Sequence, residues 1–333
     1  MKKSGCALLA LFLVLCASVF FNFLLLAWFG AEGAESIASN RFTTPRLEER
    51  LVEAGDSDSG KIVVIPVRGV IATDEGSEWG LSMVDDIKEA LRTAADDGDV
   101  KAVVLAVDSP GGEVTASDII YNEVLKVRER KPVVVAMSSL AASGAYYIAC
   151  GSSWIVANET TFTGSIGVII QSLNYQQLFD KVGLDSVVFK SGKFKDMLSG
   201  ARPMTPEEQS YVEGMVQQVY TRFLDIVAGA RKLPAEQLRA GLADGRILTG
   251  KDAMAAGLVD QIGYIEDAFA KARELGEAPG AQVIRYEPAL NFSRLFHLFG
   301  AQSQSSMKVQ VGPAPVFQLQ PGRAYLLPEF YAW

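Results

Sequence analysis

Val133-Val134-Val135-Ala136-Met137, running on into Ser138-Ser139-Leu140-Ala141-Ala142-Ser143-Gly144-Ala145-Tyr146-Tyr147, is the stretch on which the reading of this chain turns. The β-branched run reads as a buried parallel strand, since a strand covered on both faces needs no polar alternation. The small and aromatic residues from Ala145 to Cys150 contain no breaker and read as a buried helix. Ser143 therefore stands on a tight turn between strand and helix. Open α/β sheets bind ligands at the carboxyl ends of their strands, and free N–H groups at a helix N-terminus favour developing negative charge. Both features suit a nucleophile. The plainer reading is that Ser143 is only a helix cap, the usual role of serine there.

On either side of this stretch the chain keeps a strand–helix rhythm. Residues 62–67 and 100–107 read as strands, and 81–95 and 117–130 as helices. Residues 154–157 and 167–170 read as short strands, 174–182 as helical and 187–190 as extended. Such alternation predicts a mostly parallel sheet covered by helices. Thr205-Pro206-Glu207-Glu208 is a helix start, with a threonine cap, proline at the first helical position and a glutamate placed to close a capping box. The helix it opens carries Val212, Met215, Val216, Val219, Phe223, Ile226 and Val227 on one stripe, expected as core or subunit interface. Further helices are expected at 234–241, 251–256 and 265–275.

The ends of the chain differ in character. Lys2 and Lys3 precede an apolar run over 7–29, interrupted only by Cys16, Ser18 and Asn22. That length spans a bilayer as a helix, and the lysines predict a cytoplasmic N-terminus (1–6) with the remainder outside the cytoplasm. A cleaved signal ending near Ala31-Glu32-Gly33 is the competing reading. Residues 30–60 read as a stalk, helical in part around 47–52, and 61–278 as the folded domain. The segment 279–333, polar and proline-rich before an aromatic end, reads as an extension of open role.

Composition narrows the chemistry. The 333 residues are 49% hydrophobic with a net charge of −8, enough apolar material for a core and no basic face for nucleic acid. Of three cysteines, Cys6 and Cys16 lie in the apolar segment, which leaves Cys150 alone in the folded part without a disulfide partner. The single histidine, His297, lies near the end, so a Ser-His-Asp site would have to depend on it. No HExxH or Cys/His cluster suggests a metal, and no cofactor is expected.

Three glycine-containing turns are expected at one sheet edge. Asp108-Ser109-Pro110-Gly111-Gly112-Glu113 offers backbone N–H groups unobstructed by a Cβ, as an oxyanion hole requires, although alone it is an ordinary Pro-Gly turn. The second turn carries Ser143. The third is Thr161-Phe162-Thr163-Gly164-Ser165-Ile166-Gly167, whose hydroxyls orient a neighbour or cap local backbone. Lys190-Ser191-Gly192-Lys193-Phe194-Lys195-Asp196 supplies candidate bases. A lysine serves as one only when burial brings its pKa down from about 10.4 by several units, and Phe194, Met197 and Leu198 are candidate walls for that. Composition does not choose among the three lysines.

Pro110-Gly111-Gly112, Ala141-Ala142-Ser143-Gly144-Ala145-Tyr146-Tyr147, Thr163-Gly164-Ser165-Ile166-Gly167-Val168, the lysine segment 190–196, Ala243-Asp244-Gly245-Arg246-Ile247-Leu248-Thr249-Gly250 and Gly257-Leu258-Val259-Asp260 follow one another in an order that resembles the signal peptide peptidase A family of membrane-bound Ser/Lys proteases. The resemblance covers roughly residues 61–275. It implies Ser143 as nucleophile, Lys195 as general base, Ser165 as the serine that orients the lysine, and the N–H groups of Gly112 and Gly144 as the oxyanion hole. It implies an α/β fold of ClpP/crotonase-like repeated αββ units with a helical C-terminal part, behind one N-terminal transmembrane helix. The family degrades remnant signal peptides at the extracytoplasmic face of the bacterial inner membrane, prefers small or apolar residues near the scissile bond, and assembles as homo-oligomers, from tetramer to octamer. In some members the lysine comes from a neighbouring subunit. Two other readings share this fold: crotonase-type acyl chemistry, and a non-catalytic membrane scaffold. The aromatic tail lies outside the family pattern.

Overall fold

In a computed structural model of the chain, which describes residues 18–22, 47–73, 82–288 and 325–326, strand parity decides the architecture. Strands β2 (Lys61–Ile71), β3 (Val100–Glu113) and β4 (Val133–Ala142) run parallel and in register, with Ile62 beside Ala102 and Val103 beside Val133. Val63, Ile65, Val103, Leu105, Val133 and Val135 enter one core, while Ile62, Val64, Ala102, Val104, Val134 and Ala136 enter another on the opposite face. Both faces are buried, so the strands read as continuous Val/Ile runs.

Helices α1 (Met83–Asp96), α2 (Val114–Arg128) and α3 (Gly144–Ala149) cover the first face. The second is covered by the helix at Ile265–Leu275, which presents Ala268, Phe269 and Ala272 to it. Beyond β4 the sheet continues through β5 (Trp154–Ala157), and the outer half of β4 pairs instead with β6 (Phe162–Gly164), Leu140 opposite Phe162. Helix α4 (Gln176–Val182) follows, then α5 (Pro206–Arg231), α6 (Ala235–Gly241), β7 (Ile247–Thr249), α7 (Gly250–Ala255), β8 (Gln261–Ile262) and α8, the Ile265–Leu275 helix. The α5 capping box forms as expected: the Glu208 amide donates to the Thr205 hydroxyl and the Thr205 amide to the Glu208 carboxylate.

Several expectations need correction. Residues 47–52, expected as partly helical stalk, form strand β1 (Leu47–Glu53), antiparallel to β9 (Gln282–Pro288), which itself lies parallel to β2. Pairing in the sheet overrides the helix propensity of Leu-Glu-Glu-Arg-Leu. Residues 108–113, expected as a turn, continue β3 past a register shift, with Gly112 opposite Ile71. Residues 167–170 and 187–190 form no strand; Ile169 makes only an isolated bridge. On α5 the stripe divides: Phe223 and Val227 are buried in the core, while Val212, Met215, Val216, Val219 and Ile226 are half-buried.

Of the expected membrane span, only 18–22 falls among the described residues, which contain no helix long and apolar enough to cross a membrane. His297, Cys6, Cys16 and most of the expected C-terminal extension lie outside them. Two pieces of that extension belong to the sheet instead: Gln282–Pro288 as β9, and Tyr325–Leu326 as β10, beside β3.

Candidate active site

Ser143 sits between β4 and α3 with φ 54° and ψ −113°, a backbone region that costs a non-glycine residue about 1–3 kcal/mol. The strain is held from both sides. The Ser143 amide donates to the Gly164 carbonyl at 2.8 Å, and the Ser143 carbonyl accepts from the Tyr147 amide at 2.8 Å. The six residues of α3 are too few to be helical on their own and are all buried. Tyr146 donates to the Leu258 carbonyl at 2.8 Å, and Tyr147 packs between Tyr121 and Phe223 while donating to Asp118 at 2.5 Å. The Ser143 side chain makes no cap bond, and its buried Oγ has no hydrogen-bond partner among the described residues. That removes the capping reading. A buried hydroxyl without a partner costs stability, so the position is maintained against that cost.

Three glycines crowd together at the start of α3. Gly111 has φ +99°, and a Cβ there would collide with the Leu326 carbonyl oxygen and stand 2.5 Å from the Gly144 nitrogen. A Cβ on Gly144 would lie 2.5 Å from Ser117 Oγ and 3.1 Å from the Gly112 nitrogen. On Gly112 it would collide with the Ile71 carbonyl. The amides of Gly112 and Gly144 thus lie side by side, at the end of β3 and at the first turn of α3. Two backbone amides brought this close are what an oxyanion hole would require.

Ser165 is also held at positive φ, 49°, with its amide donating to the Arg246 carbonyl at 2.8 Å. Strand β7 fixes that carbonyl by pairing antiparallel with β6, Gly164 opposite Ile247. The Ser165 hydroxyl has no hydrogen-bond partner among the described residues, unlike Thr161 and Thr163, whose hydroxyls cap the Ser138 and Ala141 carbonyls at 2.5 and 2.7 Å. Of the three hydroxyls in this segment, only that of Ser165 is free to orient another group.

The lysine segment separates its members. Lys190 pairs with Asp196 at 2.6 Å and Lys193 with Glu207 at 2.5 Å. The Lys195 ammonium has no partner among the described residues and is exposed. Phe194, expected as a dry wall, stacks instead on Tyr211 at 5.2 Å. Within one chain Lys195 and Ser143 are not hydrogen-bonded. The segment is nevertheless anchored: Arg202 bonds both oxygens of Asp196, at 2.7 and 2.9 Å, and both of Glu208, at 2.6 and 2.9 Å. These bonds hold the Asp196 carboxyl well below the usual range and bring Glu208 down to about 2.

Other residues of the quoted motifs have supporting roles that their spacing does not announce. The Gly164 and Arg246 carbonyls hold the two strained serines, and only pairing between distant strands places them there. Asp260 accepts from the Ile155 amide at 2.8 Å and forms a two-pronged pair with Arg231, tying α5 to β5. Cys150 is buried, which pushes its thiol up to about 12 and leaves it a packing role.

Comparison with known proteins identifies relatives among the peptidases. The family model for Peptidase family S49 matches residues 126–278, and that for Clp protease matches residues 74–159. A protein of Enterococcus faecium carrying the name signal peptide peptidase SppA is 39% identical over 75% of this chain and 72% of its own length. A Methanocaldococcus jannaschii protein named as a protease is 32% identical over 86% of this chain and 87% of its own. Protease 4 of Salmonella typhi is 38% identical over 66% of this chain but only 35% of its own length.

Proposed function

Since the chain belongs to peptidase family S49 and is a serine protease of the signal peptide peptidase A type, we propose that Ser143 is its nucleophile and Lys195 its general base. The observation that carries this reading is the strained, buried Ser143 hydroxyl, left without a partner beside the paired amides of Gly112 and Gly144. Neutral Lys195 takes the Ser143 proton and the alkoxide attacks a peptide carbonyl, whose oxygen turns toward the two amides. The lysine then protonates the departing amine and activates the water that hydrolyses the acyl-enzyme. Ser165, with its free hydroxyl, orients the amine.

A lysine can do this only once its ammonium is stripped of water. In a single chain Lys195 is exposed, on a segment that also exposes Leu173, Leu178, Val182, Leu184, Val187 and Phe189. So much uncovered apolar surface favours association. The dyad is therefore completed in a homo-oligomer, in which a neighbouring subunit covers the segment. With the apolar run at 7–29 as a single-pass anchor and a cytoplasmic N-terminus, the site faces the extracytoplasmic side of the cell membrane. Its substrates are cleaved signal peptides and other short or unfolded peptides.

The test is hydrolysis of a peptide library by the full chain in detergent, beside its Ser143→Ala variant, with fluorophosphonate labelling of the serine. Cleavage lost in the variant and label located on Ser143 support the reading. Peptide cleavage that survives Ser143→Ala refutes it. Turnover of acyl thioesters without peptide cleavage would favour the crotonase-type alternative.

A further inference from the structure

One carboxylate gathers three helices behind the candidate oxyanion amides. Asp118 of α2 accepts on Oδ1 from the Tyr147 hydroxyl of α3 at 2.5 Å, and on the same oxygen from Arg222 of α5, Nη2 at 2.6 Å and Nε at 3.2 Å. Its Oδ2 accepts from Asn122 Nδ2 at 3.2 Å, one turn further along α2. Tyr147 is 1% exposed, its ring edge-on to Tyr121 at 5.2 Å and tilted against Phe223, the residue after Arg222, at 5.1 Å. A buried tyrosine needs a polar partner for its hydroxyl, and here that partner is a charged group. The plainer reading is a surface ion pair between Asp118 and Arg222, of the kind that adds little to stability. It does not account for what Tyr147 holds in turn.

The Tyr147 amide donates to the Ser143 carbonyl at 2.8 Å and closes the first turn of α3. The Ser143 carbonyl and the Gly144 N–H belong to one planar peptide unit, so fixing the carbonyl fixes the direction of the N–H. That N–H lies beside the amide of Gly112. With six residues, α3 has little stiffness of its own, and its orientation must come from its neighbours. At its start stands Ser117, whose Oγ leaves no room for a side chain on Gly144. At Tyr147 stands Asp118, the next residue of α2. Two consecutive residues of α2 thus frame the turn that carries the Gly144 amide.

We propose that Asp118 is a positioning residue of the protease: it holds Tyr147, Tyr147 holds the Ser143–Gly144 peptide, and that peptide aims the Gly144 N–H at the oxyanion. Arg222 keeps the carboxylate turned toward Tyr147. The inference rests on Ser143 being the nucleophile and on the amides of Gly112 and Gly144 receiving the oxyanion. A donor in such a hole acts on charge that exists only in the transition state. A small rotation of the Ser143–Gly144 peptide therefore weakens transition-state binding and leaves ground-state binding of the peptide substrate nearly as it was.

Steady-state peptide hydrolysis by the full chain in detergent tests this, together with melting temperatures and inhibition by a tri-alanine aldehyde, whose adduct with Ser143 places a negative oxygen in the same hole. Tyr147→Phe keeps the ring between Tyr121 and Phe223 and removes only the hydroxyl. It should lose about ten- to a hundred-fold in kcat, the scale of a group misplaced near the reaction, with KM little changed and the aldehyde weakened by a similar factor. Asp118→Ala should match it, and the double variant should be no slower than either single one, because the two residues act in series. Asp118→Asn still offers Tyr147 an oxygen and should keep most of kcat. Glu123→Gln, on the same helix, controls for stability and should melt lower with kcat near wild type. Ser143-dependent cleavage whose kcat is unmoved in Tyr147→Phe, a loss that falls on KM, or losses that multiply in the double variant would overturn the positioning and leave the nucleophile standing. Peptide cleavage that survives Ser143→Ala takes down both proposals together.

Discussion

The amide of Ser143 donates to the carbonyl of Gly164 across 2.8 Å, so the backbone of the proposed nucleophile is set by a strand residue twenty-one positions downstream. Gly164 has φ +73°, and a Cβ there would stand 3.3 Å from the Arg246 carbonyl. Gly164→Ala should lose about 1–2 kcal/mol for the left-handed backbone and also displace the carbonyl that Ser143 uses. Gly245, at φ +89° with open space around it, provides the control. Its alanine variant should lose similar stability in urea titration but keep a much larger share of kcat. Equal losses of kcat in the two variants would refute the clamp.

Gly144 is tight for a different reason. A Cβ there meets Ser117 Oγ at 2.5 Å, and that hydroxyl donates to the Glu113 carbonyl at 2.9 Å. Gly144→Ala should push the α3 amide away from that of Gly112 and lower kcat by about a hundred- to a thousand-fold, as loss of one oxyanion donor does, with KM little changed. Adding Ser117→Ala removes the colliding atom at the cost of one buried hydrogen bond, about 1 kcal/mol. The double variant should recover part of the lost kcat while melting lower. If it is no more active than Gly144→Ala alone, the collision is not what matters.

The lysine segment predicts an ordered series. Lys190 and Lys193 are committed to Asp196 and Glu207, whereas Lys195 is free to meet Ser143. Lys195→Ala should abolish peptide cleavage and leave folding and assembly intact. Lys193→Ala removes an exposed pair worth about 0–1 kcal/mol and should keep nearly full activity. Lys190→Ala should fall between them, because Asp196 still has Arg202. Steady-state kinetics on one peptide substrate ranks the three, and an active Lys195→Ala with a dead Lys193→Ala would reverse the assignment.

Local signals made part of this legible. The β-branched run at Val133, the capping box at Thr205 and the apolar spacing from Ile265 to Leu275 fix their own elements, because each signal lies within the segment it shapes. Ser143 stood out through its neighbours on either side. What failed depended on distant partners. Leu47–Glu53 carries helix-forming residues yet pairs with Gln282–Pro288, and Ser109-Pro110-Gly111-Gly112 has the composition of a turn yet is extended between Ile71 and Leu326. The exposure of Lys195 was equally unreadable, because Phe194 beside it stacks on Tyr211. Nothing in the order of residues announces that Tyr325 will meet Ile169.

Acid separates the anchoring of the lysine segment from the stability of the domain. Glu208 is lowered from 4.5 to about 2 by its bonds to Arg202 and Thr205, and Glu123 to about 2 by its bonds to Arg92 and Lys126. Both are depressed, so their contribution is complete above about pH 4.5, where folded and unfolded chains alike carry the charge. As pH falls from there toward about 2, the unfolded chain binds protons that the folded chain does not, and stability declines. Glu208→Gln and Glu123→Gln should each be less stable than wild type at neutral pH and lose less on acidification. Their effects on catalysis should part company. Glu123 joins α1 to α2 through Arg92, remote from the lysine, whereas Glu208 fixes the Arg202 that also grips Asp196, the residue after Lys195. At neutral pH, therefore, Glu208→Gln should lower kcat while Glu123→Gln leaves it near wild type. Melting temperatures at neutral pH and near about pH 3, with kcat measured at neutral pH, decide the matter. Equal kcat in the two variants would mean that the Arg202 clamp holds the fold without positioning the base.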